Sequence, residues 1–406
     1  MPGLPPPGEP GPADGALPAS ALAGLGTRPF GIYVHVPFCA TRCGYCDFNT
    51  YTAAELGPGA SRAGYAAQAV AEIRLARRVL GTADLPVTSV FFGGGTPTLL
   101  PPGDLGAILA AIGAEFGLAP GAEVTTEANP ESADQAALAQ LRAAGFTRIS
   151  LGMQSAVPHV LAVLDRVHQP GRPQACARWA RAAGFEHVSL DLIYGTPGES
   201  DADWDDSLRA AVAAGPDHIS AYALIVEDGT RLAARIRRGE LPEPDEDALA
   251  DRYLMADELL SRRGLDWYEI SNWAAGPAAR CRHNLLYWTG GDWWGVGPGA
   301  HSHVGGTRWW NVRHPAAYAR RLAAGTSPAQ AREVLSGAER RTEDIMLRTR
   351  LAAGCPAAGL SPAGRAAAAA AAADGLARGA DLDAGRVVLT RRGRLLADAV
   401  IRGLTG

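Results

Sequence analysis

Three cysteines share one short stretch, Cys39-Ala-Thr-Arg-Cys43-Gly-Tyr-Cys46. A C-x3-C-x2-C spacing sets three soft thiolates on a single loop, the donors that three irons of one cubane need, and leaves the fourth iron without a protein ligand. An open iron of that kind can be chelated by the amino and carboxylate groups of S-adenosylmethionine (SAM). A cluster electron then cleaves the sulfonium C–S bond, and the resulting deoxyadenosyl radical abstracts hydrogen. Structural zinc is the competing reading, but zinc prefers four ligands and paired C-x2-C spacings, and only Asp47 stands near enough to be a fourth. Cys176, Cys281 and Cys355 are scattered, so the cysteines do not read as a disulfide framework.

Other segments offer ligands for a bound nucleoside. Gly93-Gly94-Gly95-Thr96-Pro97 follows Val90-Phe91-Phe92 and removes side chains where a backbone must come close to a ligand, although glycines also make plain turns. Glu127, Gln154, Arg166 and Asp191 supply carboxylates, an amide and a guanidinium suited to ribose hydroxyls and to the amino and carboxylate groups of SAM. Singly, each is an ordinary surface or structural residue. A second candidate site is His283-Asn284-Leu285-Leu286-Tyr287-Trp288. On a helix, His283 and Tyr287 share one face and Asn284 and Trp288 an adjacent one. A histidine flanked by aromatic rings can ligate heme iron, yet residue types alone favour a hydrogen-bonded scaffold histidine in an aromatic core. His301 and His303, in a Gly-rich segment, read as structural.

Something must hold these residues at one place. From Phe30 to Tyr222, β-branched and aromatic runs (32–36, 87–92, 123–127, 148–151, 187–192, 218–221) alternate with Ala- and Leu-rich helical stretches (64–80, 104–116, 134–144, 174–183, 203–213). Six strand-then-helix units predict a parallel α/β sheet curled into an incomplete (β/α)6 TIM-type barrel, whose active residues belong where strands end. Cys39, Gly93, Glu127, Gln154 and Asp191 all fall at such ends. The remaining chain divides into a Pro/Gly-rich tail over 1–28, expected to be disordered, an aromatic-rich extension over 224–325, and a winged-helix-like α+β domain over 326–406. With a net charge of −4 there is no general attraction to nucleic acid or anionic lipid. The start lacks the charged and apolar parts of a secretion signal, and no long apolar run is found, which predicts a cytoplasmic protein.

The segments Tyr33-Val-His-Val-Pro-Phe-Cys39, Gly93-Gly-Gly-Thr-Pro-Thr98, Ser150-Leu-Gly-Met-Gln-Ser155 and Asp191-Leu-Ile-Tyr-Gly-Thr-Pro197 together resemble the oxygen-independent coproporphyrinogen III oxidase-like radical SAM family. The resemblance runs from Phe30 to the C-terminus. It implies a 4Fe–4S cluster on Cys39, Cys43 and Cys46, with SAM contacted by Tyr33, Tyr45, Gly94, Gly95, Thr96, Glu127, Gln154, Arg166 and Asp191. True oxidases of this family resemble C-x3-C-x2-C-x-C, whereas Phe48 stands here at the fourth cysteine position. His283-Asn-x-x-Tyr-Trp288 matches the signature of the family's heme chaperone branch, which implies heme b held through His283, Asn284, Tyr287 and Trp288. The branch further implies respiratory hemoproteins as heme acceptors, an electron donor for the cluster, a homodimer, and membrane contact during heme delivery. The runner-up is a coproporphyrinogen III dehydrogenase.

Overall fold

Each β-branched run forms a strand and each Ala- and Leu-rich stretch folds back over it as a helix in the computed structural model, which describes residues 8–166, 169 and 171–406. The first strands are β1 (Glu9–Pro10), β2 (Phe30–Val36), β3 (Val87–Gly94), β4 (Leu118–Ala128), β5 (Arg148–Gln154), β6 (His187–Tyr194) and β7 (His218–Ala223). There follow β8 (Asp266–Glu269), β9 (Asn272–Ala274), β10 (Asp292–Val296), β11 (His301–Val304), β12 (Thr307–Asn311) and β13 (Ala329–Val334). β14 (Cys355–Pro356) and β15 (Arg386–Val387) form a separate pair.

Strands β2 to β7 lie side by side in chain order and pair in parallel. Helices Arg62–Leu80, Pro102–Phe116, Gln135–Ala143, Arg172–Ala182 and Asp201–Ala213 make the crossovers. All six expected strands and five expected helices are present, shifted by only a few residues. Parallel strands covered on their faces need apolar side chains on both sides, and β2 is buried at every residue except Tyr33, which is half-buried.

The aromatic-rich segment differs from the expected separate unit. β9 pairs antiparallel with β7 at one edge of the sheet, and β10 pairs in parallel with β2 at the other. The sheet thereby grows to thirteen strands in the order β1-β13-β12-β11-β10-β2-β3-β4-β5-β6-β7-β9-β8. An open edge of unpaired amides is a liability, and residues 224–325 cap both edges while Trp294, Val296 and Trp309 join the main core. Because β13 belongs to this sheet, position 326 does not separate two sheets.

The tail also departs from expectation. Glu9–Pro10 pairs with β13, and residues 19–22 form a helical turn with Ala21 fully buried. A Pro/Gly-rich composition that cannot build a core can still dock along an exposed edge, so the expected disorder over 1–28 is corrected from residue 8 onward, and residues 1–7 lie outside the described residues. The C-terminal α+β unit has its own core of Cys355, Leu360, Ala368, Val387, Leu389, Val400 and Leu404, with β14 and β15 beside the helices. Among the described residues no helix is long and apolar enough to cross a membrane.

One polar residue fastens the β10–β12 region to the barrel. Glu72, fully buried on the Arg62–Leu80 helix, accepts from the Gly297 amide at 2.8 Å, Asn311 Nδ2 at 2.7 Å and the Tyr318 hydroxyl at 2.5 Å. Glu72→Ala takes the acceptor from the Gly297 amide and the Tyr318 hydroxyl in a dry site, while Asn311 Nδ2 keeps its bond to Gly297 O at 2.9 Å. The expected cost is about 3 kcal/mol, since a buried donor left unmet costs ~1–3 kcal/mol. Urea denaturation checks this, and a loss below a few tenths of that would contradict it.

Candidate functional site

The cysteine loop leaves β2 and is laced to the glycine run that closes β3 by backbone bonds. Gly95 N–H donates to Val36 O at 2.8 Å, Thr96 N–H to Phe38 O at 2.8 Å, and Cys39 N–H to Tyr51 O at 3.0 Å. Cys39, Cys43 and Cys46 are half-buried and free of disulfides. Burial pushes the Cys39 thiol up and the Cys46 thiol up to about 11, so both stay protonated until a metal takes the proton's place. Arg166 Nη1 lies 3.6 Å from Cys43 Sγ, and the Thr96 hydroxyl stands beside Cys39. Among the described residues no three His, Cys, Asp or Glu side chains gather around one point as a single ion requires. A cubane instead bonds each thiolate to a different iron.

Packing makes the glycines necessary. A Cβ on Gly95 would lie 2.5 Å from Phe38 O and 3.1 Å from Cys39 Sγ. One on Gly94, whose φ is +106°, would lie 2.6 Å from the His35 ring. One on Gly93 would meet Glu127 Oε2 at 3.0 Å and the Tyr33 ring at 3.2 Å. The run therefore lets the cysteine loop, a carboxylate and an aromatic ring close on one strand end.

The remaining strand ends converge there. Glu127, at the end of β4, accepts from the Gly94 amide at 3.1 Å. Burial, and next the charge of Asp191, push its carboxyl from 4.5 up to about 8. Asp191 on β6 is also raised by burial, although Ser150 Oγ donates to both of its oxygens at 2.9 Å and Ser220 adds a further bond. Gln154 closes β5 with a φ of +64°, rare for a non-glycine, and its amide folds over Gly152 beside Arg166. Arg166 donates to Gly152 O at 2.7 Å, and Gly152 is the register partner of Asp191. Tyr45 packs beside Cys43 and Arg166. Thiols awaiting a cation, two buried carboxyls whose ionisation burial opposes, and glycines with no room for a Cβ suit an iron–sulfur cluster and a ligand bearing sulfonium and ammonium charges. A cavity of about 490 Å³ opens beside Arg166, between Met153, Leu161 and Arg231.

The second candidate is placed differently. Arg282–Trp288 is helical, with His283 and Tyr287 on one face, as the spacing predicts. His283, however, is only 1% exposed, and its ring stacks on Phe91 at 5.3 Å. Its Nδ1 bonds Ser89 Oγ at 3.0 Å and its Nε2 bonds the Tyr287 hydroxyl at 2.7 Å. Burial lowers its pKa to about 3, so the ring is neutral with both nitrogens committed. In the ligand-free chain that is the scaffold arrangement, and the His283 ring reaches an iron only when its bond to Ser89 or to Tyr287 opens. Asn284 and Trp288 turn instead toward Glu269, which is pushed up to about 7 by burial.

What the helix does offer is Tyr287, which lines a cavity of about 470 Å³ together with Tyr33, Phe48, Trp293, His301 and Arg313. Sequence reasoning missed Asn49, Trp293, Trp310 and Arg313 around this cavity, along with the clamps Ser150 and Ser220. No spacing marks them, because the cavity residues meet only through pairing of β10 with β2, and the two serines reach Asp191 only through pairing of β6 with β5 and β7.

The raised Glu127 carboxyl has a measurable consequence. Between roughly pH 5 and 8 the unfolded chain ionises this group while the folded chain keeps its proton, so wild-type stability falls as pH rises through that window and levels off above it. Glu127→Gln removes this contribution. Thermal melting of ligand-free protein should give nearly equal midpoints at pH 5 and a clear advantage for the variant at pH 8.5, whereas a gap independent of pH would contradict the burial argument.

Comparison with known proteins places these features in context. The radical SAM superfamily profile matches residues 33–211. A protein of Mycobacterium tuberculosis named heme chaperone HemW is 56% identical over 386 residues, covering 95% of this chain and 97% of that one. The mitochondrial radical S-adenosyl methionine domain-containing protein 1 of Mus musculus is 39% identical over 66% of this chain and 60% of its own. Coproporphyrinogen III oxidase (HemN) from Escherichia coli, a radical SAM enzyme, shares the fold with a TM-score of 0.80 over 95% of this chain and 92% of its own, at 22% identity. With more than half of its residues shared along nearly its full length, the chain belongs to the heme chaperone HemW family of the radical SAM superfamily.

Proposed function

We propose that this chain is a radical SAM heme chaperone that carries a 4Fe–4S cluster, binds SAM and heme b, and hands the heme to respiratory hemoproteins. The observation that carries the reading is the 56% identity, over 95% of the chain, to a protein named for that task. Cys39, Cys43 and Cys46 hold the cluster, whose open iron, fed by an electron donor, supplies reducing power to the sulfonium. Glu127 and Asp191 offer their carboxylates to the cationic groups of SAM, which restores the ionised form that burial disfavours. Arg166 and Gln154 receive its carboxylate and ribose, Gly94, Gly95 and Thr96 present backbone, and Tyr33 and Tyr45 flank the adenosine. Dimer formation and membrane contact during delivery accompany this reading.

Phe48, 61% exposed at the place of a fourth cysteine, presents an apolar ring where the oxidase-type members have a thiol. The oxidase reading therefore rests on a shared fold, and fold does not carry function. Anaerobic reconstitution tests the proposal. Wild type should hold about four irons per chain, and single Cys→Ala variants at the three positions should lose them. Asp191→Asn should keep the iron while weakening SAM binding about tenfold, the value of one charge-assisted bond. Hemin-loaded holoprotein should pass heme to an apo-cytochrome. Protoporphyrinogen formation from coproporphyrinogen, with no heme transfer, would overturn the chaperone reading.

A further inference from the structure

Both nitrogens of the His283 ring are engaged in the ligand-free chain, but the two bonds stand in different surroundings. Nδ1 meets Ser89 Oγ at 3.0 Å. Ser89 is 1% exposed on β3, a strand closed on both sides, with Gly31 of β2 and Glu123 of β4 as its register partners. The fold makes room for this contact. A Cβ on Gly31 would lie 2.7 Å from the Leu286 side chain and 3.0 Å from Ser89 Oγ, so the glycine lets the Arg282–Trp288 helix seat its histidine on that serine. Glu123 then fixes the first turn of the helix, its Oε1 accepting from the Arg282 amide at 2.9 Å and from the His283 amide at 3.3 Å. Phe91, two residues along β3 from Ser89, stacks on the ring and sets its plane.

Nε2 has a different kind of partner. It meets, at 2.7 Å, the hydroxyl of Tyr287, one turn further along the same short helix. Tyr287 lines the cavity of about 470 Å³ with Tyr33, Phe48 and Trp293, and its ring stands edge-on to Trp293 at 4.5 Å. The phenol therefore has open space beside it, whereas Ser89 is locked in the sheet. A phenol carries its proton at neutral pH and donates it, so Nε2 accepts and Nδ1 bears the ring proton toward Ser89.

Resting on the chaperone reading, we infer that the iron of an incoming heme takes Nε2 of His283 from the cavity side, displacing the Tyr287 hydroxyl, while Ser89 stays bonded to Nδ1 as the positioning residue of that ligand. The ring then keeps one tautomer throughout. Its Nε2 lone pair passes from the phenol proton to ferric iron, the iron gives up a water ligand, the phenol keeps its proton, and no oxidation state changes. A hydrogen bond to the far nitrogen orients a metal-binding imidazole and raises its basicity. Tyr287 competes with heme for one lone pair and covers the histidine while the site is empty.

The test is titration of the full-length protein with hemin, read by the Soret band and by ferric electron paramagnetic resonance. Ser89→Ala should bind hemin about tenfold more weakly and shift the g values of the histidine-ligated species, with iron content and SAM binding unchanged. Tyr287→Phe keeps the ring and removes the competing hydroxyl, so it should bind about fivefold more tightly with the histidine signature retained, the worth of one neutral hydrogen bond. These opposite signs separate positioning from general damage to the helix. Weaker binding in Tyr287→Phe, or unchanged affinity and g values in Ser89→Ala, overturns the assignment and leaves the chaperone reading intact. The same holds for a histidine signature that survives in folded His283→Ala. If Ser89→Ala does not fold by circular dichroism, the direction of the Tyr287→Phe change decides. Wild type that takes up no hemin overturns both.

Discussion

The constraint on which the rest depends is that three thiols on an eight-residue stretch must be presented at the open end of a parallel sheet without the loop collapsing into it. The chain meets this by stitching the loop to its neighbour rather than by filling the space with side chains. Val36 and Phe38 carbonyls accept from Gly95 and Thr96, and Gly95 has no Cβ to spare against Phe38 O and Cys39 Sγ. On the other flank the loop is held by Leu164 and Leu232, through the Gly44 amide and carbonyl. The cysteine motif and the glycine motif are therefore two halves of one device, and neither positions anything alone.

Electrostatics at the same mouth follows from that packing. Closing the strand ends over one another buries Glu127 and Asp191 with few cations nearby, and the carboxyls resist ionising. Arg148, the obvious compensator, is itself 1% exposed and occupied with Glu123 at 3.6 Å and with Ala279 O at 2.8 Å. A site of this kind is costly while empty and gains when a positively charged ligand arrives, because the ligand both restores the ionised carboxylates and needs them. The same burial holds two cysteines as thiols until a metal binds. Cluster and cofactor chemistry are thus favoured by one physical cause, low solvent access at the strand ends.

How legible this was in the sequence depended on range. The six parallel strands and their helices could be read because period and turn residues are local, and the strand-end position of Cys39, Gly93, Glu127, Gln154 and Asp191 followed from them. Pairing of Asp292–Val296 with Phe30–Val34 was not legible. Nothing in a Trp-rich stretch tells which distant edge it will cover, and without that pairing Trp293, His301 and Arg313 have no reason to meet Tyr33. The tail misled for a related reason, since its composition argues against a core and says nothing about docking on the open side of β13.

His283 shows the limit most clearly. Helical spacing gave the shared face of His283 and Tyr287, but whether that face meets solvent or the sheet is decided by Ser89 and Phe91 on β3, nearly two hundred positions away. Asn49 makes a comparable link from the cysteine side, donating to Pro298 O at 3.0 Å and to Arg313 O at 2.8 Å. Since its own carbonyl also holds the His35 ring, the end of the cysteine loop, the Tyr33 end of β2 and the β10–β12 wall form a single hydrogen-bonded ledge. The aromatic cavity and the thiol loop consequently share a boundary, and neither can shift far without breaking bonds that hold the other.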